Sequence, residues 1–331
     1  MKQLIMDLQG FEITQLEAEQ LRHPAVAGVI LFARNYKNKA QLVKLTKAIR
    51  AVNPDIVIGV DHEGGRVQRF VDGFSKIPAM ASFIEQARDL QQAKQWAELI
   101  GYLMAVELQQ VGIDFSFAPV LDRNGISDVI GRRAFSADPQ IVTELAQSLI
   151  NGFHHAGMIA IGKHFPGHGG VKADSHVAIA QDPRSFSEIE QQELPPFMTL
   201  IKQGVLQGIM PAHVIYTRID PNPAGFSPYW LQQVLKQQLN FSGSIFSDDL
   251  SMHGATVVGD ISDRVYAALS AGCDFALVCN SPTEVAYLLQ HYQWQQHKVS
   301  HIEPLKAANL YAADFDQVML DKAKLICQQL N

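Results

Sequence analysis

Short apolar runs alternate with longer amphipathic segments along the chain, a pattern that predicts β-strands separated by α-helices. Continuous apolar runs are typical of parallel strands buried on both faces. The eight predicted strands are Leu4–Leu8, Gly28–Phe32, Ile56–Asp61, Asp114–Val120, Ile159–Phe165, Gly208–Val214, Ser244–Asp249 and Asp274–Val278. The predicted helices are Glu12–Leu21, Lys39–Ala51, Glu85–Val111, Asp138–Ala156, Ser187–Lys202, Pro228–Leu239, Ser262–Ala271 and Pro282–Gln290.

The order of these elements predicts the fold class. Eight βα units in a chain of 331 residues fit an α/β, single-domain (β/α)8 TIM barrel that spans residues 1–331. The alternative is a doubly wound open sheet, but no G-x-G-x-x-G turn follows the first strand, which disfavours its dinucleotide-binding form. The stretch from Ala307 to Leu330 is predicted to add a C-terminal helix on the barrel exterior.

Polar side chains collect where the predicted strands end. Because a barrel carries its chemistry at the carboxyl ends of its strands, this clustering predicts an active-site face. The opposite strand ends, around Asp55 and Ser242, show no such crowding. The polar residues at or just beyond the carboxyl ends are Asp61, His62, Glu63, Arg66, Arg69, Asp122, Lys163, His164, His213, Ser247, Asp248 and Asp249.

The densest group of titratable side chains runs from Lys163 to His176. It contains three histidines, two lysines and an aspartate, and its glycines between Gly167 and Gly170 rule out regular structure. Titratable groups at the end of a buried strand are costly to fold around, so we expect them to serve chemistry. The glycines are also expected to let this loop move.

Asp248 and Asp249 end an apolar strand and alternate between its faces, so one carboxylate is predicted to point into the barrel mouth. A carboxylate fixed there can attack an electrophilic carbon, act as a base or bind a metal ion. The alternation alone does not show which of the two carries this role. For Asp249 the alternative is a cap of the following helix.

Asp174 and His176 lie two residues apart in the glycine-rich loop. This spacing lets the carboxylate hold one imidazole nitrogen and leaves the other free for proton transfer. One alternative is a solvated pair without a role, and another is a metal site. The potential metal ligands are His164, His168, Asp174, His176 and Asp248. No H-E-x-x-H spacing supports that site and Lys163 would lie beside the ion, so no metal is predicted.

A set of donors and acceptors at the same strand ends is suited to a substrate with many hydroxyl groups. It consists of Asp61, Arg69, Arg133, Lys163 and His164. Carboxylates accept hydroxyl protons, while lysine and arginine donate to the remaining oxygens. Each residue alone could form a salt bridge at the barrel rim, but together they favour a sugar. Phosphate is the competing ligand, and no P-loop is present to hold it.

Composition and the N-terminal sequence limit the expected partners and cellular compartment of the protein. The formal charge of −6, with no basic run, argues against nucleic-acid and membrane partners. The odd number of cysteines suits a reducing compartment, and Cys273 and Cys279 are expected to be core residues. The N-terminus has Asp7 and Gln9 where a secretory signal would be apolar. We therefore expect a cytoplasmic monomer with a small-molecule substrate and no cofactor.

Six motifs resemble those of family 3 glycoside hydrolases, specifically the single-domain bacterial β-N-acetylhexosaminidases. They are GVDHEGGRVQR (Gly59–Arg69), FAPVLD (Phe117–Asp122), KHFPGHG (Lys163–Gly169), DSH (Asp174–His176), MPAHVIY (Met210–Tyr216) and FSDDLSM (Phe246–Met252). In similar enzymes a glutamate tends to precede the sugar-binding arginine, whereas this chain has Arg132. The resemblance therefore assigns sugar binding to Arg133.

The resemblance implies a retaining exo-hydrolase that removes terminal β-linked N-acetylglucosamine. Asp248 would be the nucleophile and His176, oriented by Asp174, the acid/base. Substrates implied for the family are N-acetylglucosaminyl-1,6-anhydro-N-acetylmuramic acid and its peptide-bearing forms, which are cytoplasmic products of cell-wall recycling. Two alternatives remain: a phosphorylase on the same scaffold and a catalytically silent sugar-binding regulator.

Overall fold

The computed structural model describes residues 2–172, 180–294 and 302–331. Within these residues, eight parallel strands form a barrel, which confirms the predicted fold class. They are β1 (Leu4–Asp7), β2 (Val26–Leu31), β3 (Val57–Val60), β4 (Phe115–Ser116), β5 (Ile161–Phe165), β6 (Gly208–Pro211), β7 (Ser244–Asp249) and β8 (Phe275–Val278). Their spatial order is β4-β3-β2-β1-β8-β7-β6-β5. Leu121 N donates to Lys163 O (2.7 Å), a bond that joins the segment after β4 to β5 and closes the barrel.

Helices surround this barrel, and their bounds agree with most of the predicted ones. The α-helices are Gln15–Leu21, Lys39–Val52, Ala81–Gln86, Leu90–Gln110, Pro139–His155, Phe186–Gln192, Pro195–Lys202, Ile261–Ala271, Pro282–His291 and Gln317–Leu330. Tyr229–Gln238 forms a helix with π-type hydrogen bonds. Two short ribbons lie outside the barrel: His62–Gly64 pairs antiparallel with Val67–Gln68, and Ala180–Asp182 pairs parallel with Val214–Tyr216.

The structure divides two segments that were predicted as single helices. The segment Glu85–Val111 is interrupted before Leu90, because Asp89 accepts a hydrogen bond from Gln92 N (2.8 Å) and starts a new helix. The segment Ser187–Lys202 is interrupted at Pro195, since proline fits the first turn of a helix but not its interior. A helix cap and a proline therefore each divide a segment whose amphipathic pattern is continuous.

The C-terminal extension lies on the outside of the barrel, as predicted. Only Gln317–Leu330 of the predicted stretch is helical, because Asp316 caps its first turn by accepting from Met319 N (3.0 Å). This helix packs against Leu90–Gln110. Cys273 and Cys279 are buried core residues, as expected. In the part of the chain that the structure describes, no helix has the length and apolar character needed to cross a bilayer.

Phenylalanine rings fill the barrel interior. Phe115 of β4 and Phe246 of β7 have ring centroids 5.8 Å apart, although these strands are not neighbours, so their rings meet inside the barrel. Phe275 of β8 stacks on Phe246 at 4.9 Å. Gly59 makes room for this cluster, since a Cβ there would lie 2.5 Å from the Phe115 ring. The interior is therefore a packed core, and substrate access is limited to the strand ends.

Candidate active site

A cavity of about 450 Å³ lies at the carboxyl ends of the barrel strands. All five residues predicted to bind a sugar line this cavity, and so does Asp248. The full lining consists of Asp61, Glu63, Arg66, Val67, Arg69, Val129, Ile130, Arg133, Lys163, His164, His168, Met210, Asp248, Asp249 and Leu277. Residues that are far apart in the sequence are thus brought into one pocket of the size usual for small ligands.

Asp61 and Glu63 reach the cavity from the end of β3 and the ribbon that follows it. They lie two residues apart in extended backbone, which directs their side chains to the same side. The ribbon turns at Gly64 and Gly65, whose φ angles are +101° and +57°. A Cβ on Gly64 would lie 2.5 Å from Pro78 O, so both backbone conformation and space demand glycine here. The turn returns the chain along the cavity wall.

Lys163 lies at the centre of a buried ion network. Its Nζ is 2.8 Å from Asp61 Oδ1 and 2.5 Å from Glu63 Oε1. Arg133 forms a bidentate pair with Glu63 at 2.7 and 2.8 Å, and Arg69 Nη2 lies 3.2 Å from Asp61 Oδ2. Paired N–H donors on two carboxylates give this network a defined geometry. The donors and acceptors are therefore held in place before a substrate arrives.

Charge pairing keeps this network ionised despite its burial. Burial alone would raise the pKa of Glu63, but the adjacent Lys163 and Arg133 outweigh it and hold the pKa well below its usual range. Burial also opposes ionisation of Asp61, but the neighbouring cations, chiefly Lys163, outweigh it and lower the pKa of Asp61. Burial would lower the pKa of Lys163, but Asp61 and Glu63 raise it above its ordinary value. The network therefore carries full charges at neutral pH.

His164 is held by Asp122, which follows β4. Its Nδ1 lies 2.6 Å from Asp122 Oδ2. Burial opposes ionisation of Asp122, but the neighbouring His164 outweighs burial and lowers the pKa of the carboxyl group. The main-chain N–H of His168 donates to Asp122 Oδ1 at 2.6 Å. The peptide bonds before His164 and Pro166 are cis. Asp122 thus orients both the imidazole ring and the start of the following loop.

His168 forms another part of the cavity wall. Its Nδ1 is 3.3 Å from Ser127 Oγ, and its Nε2 has no hydrogen-bond partner among the residues that the structure describes. Burial lowers the pKa of this imidazole, so the ring is neutral near pH 7. The ring adds a neutral polar group to a wall that contains both charged and apolar side chains.

Asp248 and Asp249 both line the cavity, although only one carboxylate was expected to face the barrel mouth. Asp248 is half-buried, and its Oδ1 accepts from Asp249 N at 2.8 Å. Asp249 does not cap an α-helix. It accepts from Ser251 N (3.0 Å) and Cys279 N (3.1 Å) and closes a turn after β7. Burial raises the pKa of Asp249 to about 6, although the hydrogen bonds that Ser251 donates act to lower it.

The loop after β5 begins with glycines in crowded positions. A Cβ on Gly169 would lie 2.2 Å from Arg123 O, and one on Gly170 would lie 1.9 Å from Arg184 Nη2. Gly167 O accepts a hydrogen bond from the Tyr216 hydroxyl at 2.8 Å. These glycines therefore allow close packing at the base of the loop; the predicted loop motion remains a prediction. The predicted pair Asp174 and His176 lies outside the described residues.

Two consecutive arginines have different surroundings. Arg133 lines the cavity, whereas Arg132 points to the surface and pairs with Glu85 Oε2 at 2.6 Å and Ser82 Oγ at 3.0 Å. His213 also lies outside the cavity lining: its ring stacks on Phe226, with centroids 5.4 Å apart. The family resemblance had assigned sugar binding to Arg133 and no role to Arg132; the position of Arg133 in the cavity lining is consistent with this assignment, which remains a prediction.

Sequence reasoning placed Glu63, Arg66 and Asp122 on the predicted active-site face but gave them no individual role, and it gave none to Met210. Glu63 could have been found because its position, two residues after Asp61, predicts the same facing direction. Asp122 ends the FAPVLD motif, but its pairing with His164 depends on how the strands are arranged. Within residues 2–172, 180–294 and 302–331, no group of three or more His, Cys, Asp and Glu residues is arranged to hold a metal ion.

Comparisons with known proteins show the family of this chain. The model of the glycosyl hydrolase family 3 N-terminal domain matches residues 1–305. The β-hexosaminidase of Shewanella frigidimarina is 56% identical over 302 residues, covering 91% of this chain and 89% of that protein. That of Idiomarina loihiensis is 55% identical over 281 residues, covering 85% and 84%.

A solved structure is similar over almost the whole chain. NagZ from Neisseria gonorrhoeae, in complex with N-trifluoroacetyl-D-glucosamine, has a TM-score of 0.91 and 38% identity, covering 99% of this chain and 97% of that one. Family, fold and relatives agree, and the chain therefore belongs to glycosyl hydrolase family 3 and, within it, to the β-N-acetylhexosaminidases.

Proposed function

We propose that this enzyme is a retaining exo-β-N-acetylglucosaminidase that acts in cytoplasmic peptidoglycan recycling. Its substrate would be N-acetylglucosaminyl-1,6-anhydro-N-acetylmuramic acid, with or without the attached peptide. The observation that carries the proposal is the combination of a half-buried carboxylate, Asp248, with a pocket lined by a rigid network of paired charges. Such a network favours a neutral sugar ring, rich in hydroxyl groups, at the buried end of the pocket.

The network can bind a sugar without rearranging. Lys163 has three N–H donors, and Asp61 and Glu63 lie within bonding distance of its Nζ. The carboxylate of Asp61 retains lone pairs that can accept sugar hydroxyl protons. Since Arg133 and His164 are also fixed by carboxylates, little side-chain entropy is lost on binding. We assign sugar binding to these residues together with Arg69.

In the first chemical step, a carboxylate oxygen of Asp248 would form a bond to the anomeric carbon as the glycosidic bond breaks. Protonated His176, oriented by Asp174, would give its proton to the departing oxygen. In the second step, neutral His176 would remove a proton from water, whose oxygen attacks the anomeric carbon and releases Asp248. Each step inverts the configuration of the anomeric carbon, so the two steps together retain the β configuration. The roles of Asp174 and His176 rest on the sequence motif alone.

A histidine is suited to this task beside a carboxylate nucleophile. Two nearby carboxylates raise each other's pKa by repulsion, whereas a neutral imidazole does not repel Asp248. Its ordinary pKa of about 6.5 allows it to exchange protons near neutral pH. This division of roles supports the covalent mechanism.

Hydrolysis of chromogenic β-N-acetylglucosaminides by the wild type, Asp248→Ala and His176→Ala tests the mechanism. We expect Asp248→Ala to lose activity by roughly a thousandfold or more. His176→Ala should lose less with good leaving groups, because these need little protonation. Near wild-type turnover by Asp248→Ala would refute the nucleophile assignment.

The substrate and reaction type need separate assays. The disaccharide and its peptide-bearing form should both be hydrolysed, and rejection of the peptide-bearing form would contradict the proposal. In phosphate buffer the product should be free N-acetylglucosamine, whereas sugar 1-phosphate would indicate a phosphorylase. Loss of activity with a chelator would instead support the metal alternative.

A further inference from the structure

The ribbon after β3 shows which end of the cavity is buried and which end faces solvent. Glu63 in its first strand is only 3% exposed and lies in the buried ion network. Arg66, at the ribbon tip beyond the turn at Gly64 and Gly65, is exposed and also lines the cavity. The cavity wall therefore runs from a buried end at Glu63 to a solvent-facing mouth at Arg66.

Arg66 differs from the other cations of the cavity in its partners. Three cationic side chains there each pair with a carboxylate: Arg69, Arg133 and Lys163. Arg66 has no carboxylate within ion-pair distance in any of the three described ranges, and its Nη2 donates to the main-chain oxygen of Val129. A guanidinium carries five N–H donors, so this bond leaves donors available at the mouth.

We propose that Arg66 binds a carboxylate on the leaving group and makes the enzyme favour anionic aglycones. This inference rests on the proposed function, because an exo-hydrolase holds its terminal sugar at the buried end and leaves the aglycone at the mouth. The planar guanidinium matches a carboxylate in geometry. In the proposed substrate, the lactyl group or the attached peptide supplies that carboxylate.

The size of the effect follows from the exposure of Arg66. Water and salt screen an exposed ion pair, so its contribution is smaller than that of a buried one. We expect a preference of about three- to tenfold in KM at low salt, declining as salt is added. The bond to Val129 suggests another role, support of the neighbouring loop. Loss of that support would affect substrates regardless of their charge.

A matched pair of aryl β-N-acetylglucosaminides separates these roles. One carries a 4-(carboxymethyl)phenyl aglycone and the other its neutral 4-(carbamoylmethyl)phenyl counterpart. The wild type, Arg66→Gln and Arg66→Lys are compared in KM and kcat with both substrates, at low and high salt. Arg132→Gln is the control, because it removes the same charge from a nearby exposed arginine that does not line the cavity.

We expect Arg66→Gln to raise KM about three- to tenfold for the carboxylate substrate only, with kcat unchanged. Arg66→Lys should retain part of the preference, and Arg132→Gln should retain all of it. Equal losses on both substrates, or no change on either, would overturn the role of Arg66. The wild-type rates distinguish the two proposals: failure to cleave either substrate overturns the proposed function and this inference together. Normal wild-type turnover without an Arg66 effect overturns this inference alone.

Discussion

His164 Nδ1 lies 2.6 Å from Asp122 Oδ2, and this contact links the ends of β4 and β5 where the barrel closes. The same carboxylate accepts from the main-chain N–H of His168 at 2.6 Å. Asp122 is fully buried, so no water competes for these bonds. One carboxylate therefore sets the orientation of a cavity-lining imidazole and the path of the loop that follows it.

Replacement of this carboxylate should impair the site. We expect Asp122→Asn to lower kcat/KM by about ten- to a hundredfold, because the amide nitrogen would face N–H donors and leave one unsatisfied. The loss should be smaller in a His164→Ala background, since part of the effect acts through His164. Equal losses in both backgrounds, or activity within twofold of wild type, would contradict this role.

Glu63 should stabilise the folded protein in a pH-dependent way. We expect Glu63→Gln to lower the free energy of unfolding by about 3–5 kcal/mol at pH 7, because Arg133 and Lys163 lose a buried partner. The pKa of Glu63 in the folded protein lies below its ordinary value of 4.5. Its stabilising effect is therefore fully present above pH 4.5 and declines as the pH falls toward the folded-state pKa.

Urea denaturation of wild type and Glu63→Gln at pH 7 and pH 3 measures this dependence. The difference in free energy of unfolding should shrink at pH 3. Glu85→Gln is the matched control, because its exposed pair with Arg132 should contribute at most about 1 kcal/mol. A Glu63→Gln effect that stays constant between the two pH values would refute the linkage.

The two adjacent arginines should differ sharply in their effect on activity. We expect Arg133→Ala to lower kcat/KM by roughly a hundredfold or more, because it removes a cavity-lining donor and leaves Glu63 with one cationic partner fewer. Arg132→Ala should stay within about twofold, since it breaks only a surface pair. Comparable losses in the two variants would show that the local geometry assigned to them is wrong.

Glycine at the base of the loop after β5 should be needed for packing. We expect Gly169→Ala to lower the free energy of unfolding by about 1–3 kcal/mol, because its Cβ would meet Arg123 O at 2.2 Å. Gly10→Ala is the control, since nothing lies within 4 Å of a Cβ there. Thermal denaturation of both variants measures the difference. Equal stability of the two would leave no packing role for Gly169.

Much of the architecture could be predicted from the local pattern of apolar and polar residues. Apolar runs marked the strands because a parallel strand is buried on both faces, and this holds wherever the strand lies in the barrel. The polar residues that follow these runs pointed to the end of the barrel where the cavity lies, because all parallel strands end on the same side. Asp61 and Lys163 were placed at this end of the barrel in this way, whereas the choice of Asp248 over Asp249 came from the family resemblance; all three line the cavity.

The partners of these residues depended on the tertiary structure. Lys163 meets Asp61 across 102 positions of sequence, and Asp122 meets His164 across 42, because the barrel closes β4 against β5. Hydrophobic periodicity could not separate Arg132 from Arg133, and only the family resemblance favoured Arg133. In the structure a single turn of backbone directs one to the surface and the other to the cavity. The sequence by itself determined the strands, their order and the end of the barrel that carries the cavity, because these depend on local periodicity. Charge pairing, cavity shape and the exposed position of Arg66 were decided by contacts between distant segments.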